Sequence, residues 1–191
     1  ATFSDGAQED RTGLIFNLAT SSEGLDVDQL IGDTKGLGGD GVTVTRLGGL
    51  SVSPGNDKIA VAGYDTGRVI VYDYVAGDSK GQGASLSNAR ESDLVLFDGG
   101  DTQGTTWLNN SSVLGFSADG ELVEVNAATM DATTVATFEG ISGGSGYTHV
   151  DYNPAVSPYV YAAWSEFANG TTTNKLFVLD PNDGFNLLKE I

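Results

Sequence analysis

The sequence predicts an all-β fold assembled from repeating four-stranded units, and three observations predict it. Helical periodicity is nearly absent from the 191 residues, whereas short apolar or alternating runs bounded by Gly, Asp, Asn and Pro recur throughout. The 27 glycines, with abundant Asp, Asn, Ser and Thr, supply turn chemistry between those runs. One pattern, a hairpin turn followed by a short apolar strand and then Asp or Asn, also occurs four times. The copies are Gly13-Leu14-Ile15-Phe16-Asn17, Val69-Ile70-Val71-Tyr72-Asp73, Leu122-Val123-Glu124-Val125-Asn126 and Leu176-Phe177-Val178-Leu179-Asp180. Their closing residues lie at 17, 73, 126 and 180, giving spacings of 56, 53 and 54 residues. A fixed period of this size marks a repeat architecture.

Each copy has matching neighbours. Upstream lies a second apolar strand with a turn: Ile59 to Gly63 before Tyr64-Asp65-Thr66-Gly67, Val113 to Phe116 before Ser117-Ala118-Asp119-Gly120, and Tyr159 to Trp164 before a polar loop over 165–174. Further upstream, Leu50-Ser51-Val52-Ser53-Pro54-Gly55-Asn56-Asp57 and Val150-Asp151-Tyr152-Asn153-Pro154 each end a segment in a polar turn. Downstream of the Asp or Asn a fourth strand is expected, over 25–31, 93–97, 133–138 and 185–191. Three of these are followed by an acid beside Gly: Gly32-Asp33, Asp98-Gly99 and Glu139-Gly140. The polar stretch 74–91 is read as a long insertion between the third and fourth strands of its unit.

A Ser-Pro or Asn-Pro turn, an apolar strand, a Gly-containing hairpin, a second apolar strand and a closing Asp or Asn together resemble the blade repeat of the WD40-like and YVTN-type β-propeller superfamily. Residues 50–73 carry the pattern best, and the resemblance covers most of the chain. The Gly-His and Trp-Asp dipeptides of true WD40 blades are missing, so intracellular WD40 scaffolding does not carry over. The resemblance implies a β-propeller or partial propeller in a single domain, 1–191. A blade remnant would occupy 1–33 and complete blades about 45–99, 104–140 and 147–191. Rings usually need at least four blades. Three and a fraction blades therefore suggest part of a larger propeller, a ring completed by a second copy or another subunit, or a small irregular closed form.

Composition narrows the function. With 26 Asp and Glu against 9 scattered Lys and Arg, the net charge of −17 repels phosphate backbones and anionic lipid, so no nucleic-acid partner is expected. No apolar run reaches the roughly 20 residues of a spanning helix, so no membrane insertion is expected. The absence of cysteine excludes disulfides, thiolate metal sites and thiol catalysis. Low Lys with high Gly, Thr, Ser and Asp suits an extracellular or cell-surface protein. The sequons at Asn109, Asn110 and Asn169 are compatible with glycosylation.

Propeller ligands sit near the axis and on the loops around it. The Gly-rich loops 36–41, 99–104 and 140–147 are read as turns, since no helix N-terminus follows them to cradle phosphate. Arg46, Trp107, Tyr147 and His149 fall near equivalent starts of innermost strands and are the candidate binding residues; packing between blades is the alternative job for such side chains. His149 is the only histidine, which excludes a multi-His metal site. His149, Asp151 and Asp101 are the catalytic candidates if the chain is an enzyme. Asp40, Asp98 and Asp101 are the calcium candidates, and no other cofactor is expected. The leading expectation is a non-catalytic extracellular binding or scaffold module, with a protein partner or second copy completing the ring. The alternative is a fragment of a propeller hydrolase or lactonase.

Overall fold

A computed structural model describes residues 2–4, 13–21, 24–33, 47–63, 67–75, 85–96, 104–141 and 146–191, with side-chain surroundings given from residue 49 onward. The described residues form four antiparallel sheets, each built from strands consecutive in the chain. The first has three strands: β1 (Thr2–Ser4), β2 (Gly13–Ser21) and β3 (Gly24–Asp33). The second comprises β4 (Leu47–Val52), β5 (Lys58–Gly63), β6 (Arg68–Val75) and β7 (Ser85–Glu91). The third holds β8 (Thr105–Asn109), β9 (Ser112–Phe116), β10 (Glu121–Asn126) and β11 (Ala132–Thr137). The fourth holds β12 (Gly146–Asp151), β13 (Val160–Ala168), β14 (Thr171–Asp180) and β15 (Asn186–Glu190). Three complete four-stranded blades follow an incomplete one, as expected of a partial propeller.

The recurring Asp and Asn residues have a physical job at the turn after the third strand. Asn126 accepts hydrogen bonds from the Ala128 and Thr129 amides at 2.9 and 3.1 Å, and Asp180 accepts one from the Asn182 amide at 2.9 Å. Both side chains satisfy backbone donors that a tight turn would leave unpaired. Asp73 sits at the same position, but a longer connection follows it. Its carboxylate instead reaches across to β7, meeting Arg90 and Asn88, both at 2.8 Å.

One strand lies elsewhere than its sequence suggests. The fourth strand of the second sheet was expected over 93–97, yet Ser85–Glu91 pairs with β6, so the insertion read over 74–91 itself supplies the strand. The strand is polar, and only Leu86 and Ala89 are buried. A register irregularity opposite Val71–Asp73, with Asn88 at φ 50°, spaces these two apolar residues by three and breaks the period of two. Asp93 turns towards the third sheet instead: its amide donates to the Met130 carbonyl, and its carboxylate accepts from the Ala132 amide.

The core lies between sheets, because alternation along each inner strand presents two apolar faces. Ala60, Ala62, Val69 and Val71 point one way, onto Trp107, Val113, Val123 and Val125 of the third sheet. Ile59, Val61, Ile70 and Tyr72 point the other way, towards the side where β1–β3 lies against β4 and β7. The third sheet repeats this, sending Leu114, Phe116 and Leu122 onto Val160, Ala162, Trp164, Phe177 and Leu179 of the fourth. Each buried aliphatic or aromatic side chain contributes about 1.5–3 kcal/mol. Phe116, Phe138 and Phe177 add ring contacts, with Phe138 stacked on Phe177 at 4.2 Å and Phe116 edge-on to both.

Candidate functional site

The same alternation defines the other face of the fourth sheet. Thr148, Val150, Ala162, Trp164, Phe177 and Leu179 face the third sheet, so Tyr147, His149, Tyr161, Ala163, Leu176 and Val178 stand on the opposite side. Strand register sets them in rows: His149 opposite Ala163 and Ala163 opposite Leu176, then Tyr161 opposite Val178. Ile191 joins the first row through paired backbone hydrogen bonds with Leu176, at 2.9 and 3.0 Å. Against this face lies a cavity of about 900 Å³. Tyr147, His149, Ala163, Leu176 and Ile191 form its wall, and Gly49 of β4 brings the innermost strand of the second sheet to it. The wall is apolar in character, yet Tyr147 and Ile191 remain 55% and 63% exposed.

His149 is held by shape as well as by its strand. The Gly104 amide donates to the Thr148 carbonyl at 3.2 Å, bringing the glycine against the imidazole. A Cβ on Gly104 would stand 2.0 Å from His149 Nδ1, so only glycine admits the ring in this position. His149 and Asp151 share a face of β12 at exposed positions.

Trp107 has a different placement. It is buried in the seam between the second and third sheets, where Nε1 donates to the Ser51 carbonyl at 3.1 Å. The structure therefore brings Tyr147 and His149 to one cavity and Trp107 to another seam. Arg46, Asp40, Asp98 and Asp101 lie outside the described residues. Among the described residues no three His, Asp or Glu side chains gather as a metal cluster would require.

Sequence reasoning missed Ala163, Leu176 and Ile191 as parts of a site. Their period-two spacing was visible, but alternate apolar residues in a strand ordinarily mean core. The useful signal was positional: in the last copy of the repeat, the face that earlier copies turn towards their successor has no successor among the described residues.

No family model matches the chain, and no curated protein matches it. Solved structures do. A hydrazine synthase from Kuenenia stuttgartiensis aligns over 94% of this chain and 45% of its own, at 12% identity and a TM-score of 0.53. TolB from Acinetobacter baumannii aligns over 98% and 40%, at 14% identity and a TM-score of 0.50. Both are propeller-type proteins, and at these identities the likeness is one of fold alone. The chain spans less than half the length of either.

Proposed function

We propose that this chain is a non-catalytic binding and scaffold module, one part of a larger propeller assembly, which works outside the cell or at its surface. Its binding surface is the open face of β12–β15. A single observation carries this reading: the cavity wall has the small and branched apolar side chains with which the two preceding sheets pack onto their successors. Alternating apolar residues displayed this way suit another protein surface better than a soluble substrate. His149 serves as wall, braced on Gly104, and its exposed neighbour Asp151 stands on the same face, opposite Tyr161. The cysteine-free, Lys-poor composition supports the extracellular setting.

Two measurements test the proposal. An apolar fluorescent dye should bind the highly diluted chain, and Leu176→Asp should reduce that binding severalfold while the far-ultraviolet spectrum stays unchanged. Hydrolysis of a simple activated ester should be no faster than that by free imidazole at the same concentration. Dye binding indifferent to Leu176→Asp would overturn the surface, and an esterase rate far above that of free imidazole and abolished by His149→Gln would overturn its non-catalytic character.

A further inference from the structure

Resting on the extracellular setting just proposed, we infer that Asn169, at the tip of the β13–β14 hairpin, carries an N-linked glycan and that Asn109 and Asn110 carry none.

The chain holds three Asn-x-Ser/Thr acceptors: Asn109-Asn110-Ser111, Asn110-Ser111-Ser112 and Asn169-Gly170-Thr171. Their sequences are equivalent, but their surroundings differ. The first two share the β8–β9 turn, which is tied down on both sides. Asn110 Oδ1 accepts a hydrogen bond from the Gly55 amide of the second sheet at 2.6 Å, and the Ser111 carbonyl accepts one from the Ala127 amide at 2.8 Å. A Cβ on Gly55 would stand 3.2 Å from both Oδ1 and Nδ2 of Asn110, so the nitrogen that would bear a sugar is hemmed in along with the oxygen. A glycan on Asn110 would part the two turns. Asn109 Oδ1 accepts from the Ser111 amide at 2.7 Å, so a glycan there would grow from a side chain already folded onto that same turn.

Asn169 stands differently. Pairing of β13 with β14 continues two rungs past Glu166, the last described partner of β12, and finishes at Ala168 opposite Thr171. Asn169 and Gly170 make the two-residue connection, with φ at 52° and 77°, both positive as a type I′ turn requires. Asn adopts this left-handed region more readily than most residues with a side chain, so the turn presents the acceptor without strain. Residues 168–174 are all exposed, and a Cβ on Gly170 would meet nothing within 4 Å. The Thr171 hydroxyl that completes the acceptor begins the next strand on the same exposed tip.

The placement also spares the proposed binding face. Ser165 and Asn174, opposite each other, line the cavity. Three strand residues separate that rung from the tip, about 10 Å. A glycan on Asn169 therefore rises beyond the cavity rim and leaves the apolar rows clear. Its attachment needs one co-reactant, an oligosaccharide carried on a polyprenyl diphosphate. The Asn169 amide nitrogen bonds to the anomeric carbon and gives up a proton, the anomeric C–O bond breaks, and the lipid diphosphate leaves.

Translation of the full chain behind a cleavable secretion signal into microsomes, which contain that donor, tests the inference. We expect one discrete gel shift, reversed by a peptide-N-glycan amidase. Asn110→Gln and Thr171→Ser should keep the shift, and Asn169→Asp and Thr171→Ala should each lose it. Asp also tolerates the left-handed turn, so Asn169→Asp should retain the circular dichroism spectrum of the parent. An unshifted chain, a shift that survives Asn169→Asp, or a second shift lost in Asn110→Gln overturns the inference. The chain isolated from its own source separates this inference from the setting on which it rests: the amidase should convert Asn169, and neither Asn109 nor Asn110, to Asp. A chain recovered outside the cell with Asn169 unmodified overturns the glycan alone, whereas a chain confined to the cytosol overturns the extracellular setting and the glycan with it.

Discussion

Leu176 and Phe177 are neighbours in β14 and should respond to truncation in opposite ways. Phe177 is fully buried between the third and fourth sheets, stacked on Phe138 at 4.2 Å and edge-on to Phe116 at 6.0 Å. Deleting such a ring leaves a cavity among partners that cannot collapse, a loss of about 3–5 kcal/mol. The two ring contacts, each worth about 0.5–1.5 kcal/mol, put Phe177→Ala at the upper end of that range. For a chain of this size each kcal/mol moves the melting temperature by about 2–4 °C, so Phe177→Ala should melt about 10–20 °C lower. Leu176 faces the open side, and Leu176→Ala in the monomer should cost about 1 kcal/mol or less. The assay is a thermal and urea melt followed by circular dichroism, at dilutions where the chain is monomeric. Equal losses for the two variants would refute the assignment of faces, since Leu176 would then be covered within a single copy.

Three further outcomes follow from the hydrogen-bond and charge environment. Asn126→Ala should destabilise by about 1–2 kcal/mol in urea melts, because two turn amides lose their acceptor. Arg90, with help from Asn88, holds the Asp73 carboxyl below the usual carboxylate range. Its stabilisation is present above the ordinary pKa of about 3.9 and is lost as pH falls through the lower folded value. The pair is partly exposed, so Asp73→Asn should cost less than about 1 kcal/mol at neutral pH, and the difference from wild type should vanish in acid. Burial pushes the Tyr72 phenol up to about 12. Between about pH 10 and 12 the unfolded chain ionises this group and the folded chain does not, so stability should fall by about 1.4 kcal/mol per pH unit. Tyr72→Phe should remove that slope, and a tyrosine absorbance titration in which every phenol ionises near 10 would contradict it.

Most of the architecture was legible because strands carry their instructions locally. The unbroken apolar run Ile59 to Gly63 announces a strand buried on both faces, and Asn126 and Asp180 close the turns after their strands through their own side chains. The strand β7 was illegible for a corresponding reason. Ser85–Glu91 buries only Leu86 and Ala89, and the irregularity at Asn88 removes the period that would betray it. What holds this strand is Arg90 meeting Asp73, seventeen residues away, together with ladder bonds to β6. Neither leaves a mark on the local sequence. The run after it, with Leu94, Val95 and Leu96 in a row, looks more like a strand, yet Leu94 and Val95 are exposed and only Leu96 enters the core.

The candidate site was harder to read, because a strand specifies which residues share a face but not what lies across from them. Val69 and Leu176 occupy the same place in the repeat, beside Ala62 and Ala163 respectively, and nothing local distinguishes them. One is sealed by the following sheet and the other opens on a cavity. The difference lies in the order of the blades, so the repeat that reveals the fold also camouflages the site: each copy is patterned for burial, including the copy left uncovered. Tyr147 and His149 stood out in the sequence because large polar-tipped side chains interrupt that pattern at the innermost strand. The uncovered face extends from them along rows whose apolar residues are indistinguishable from core. A face built from ordinary interior residues is invisible to motif reasoning, and among the described residues it shows only once the neighbouring sheets are placed around it.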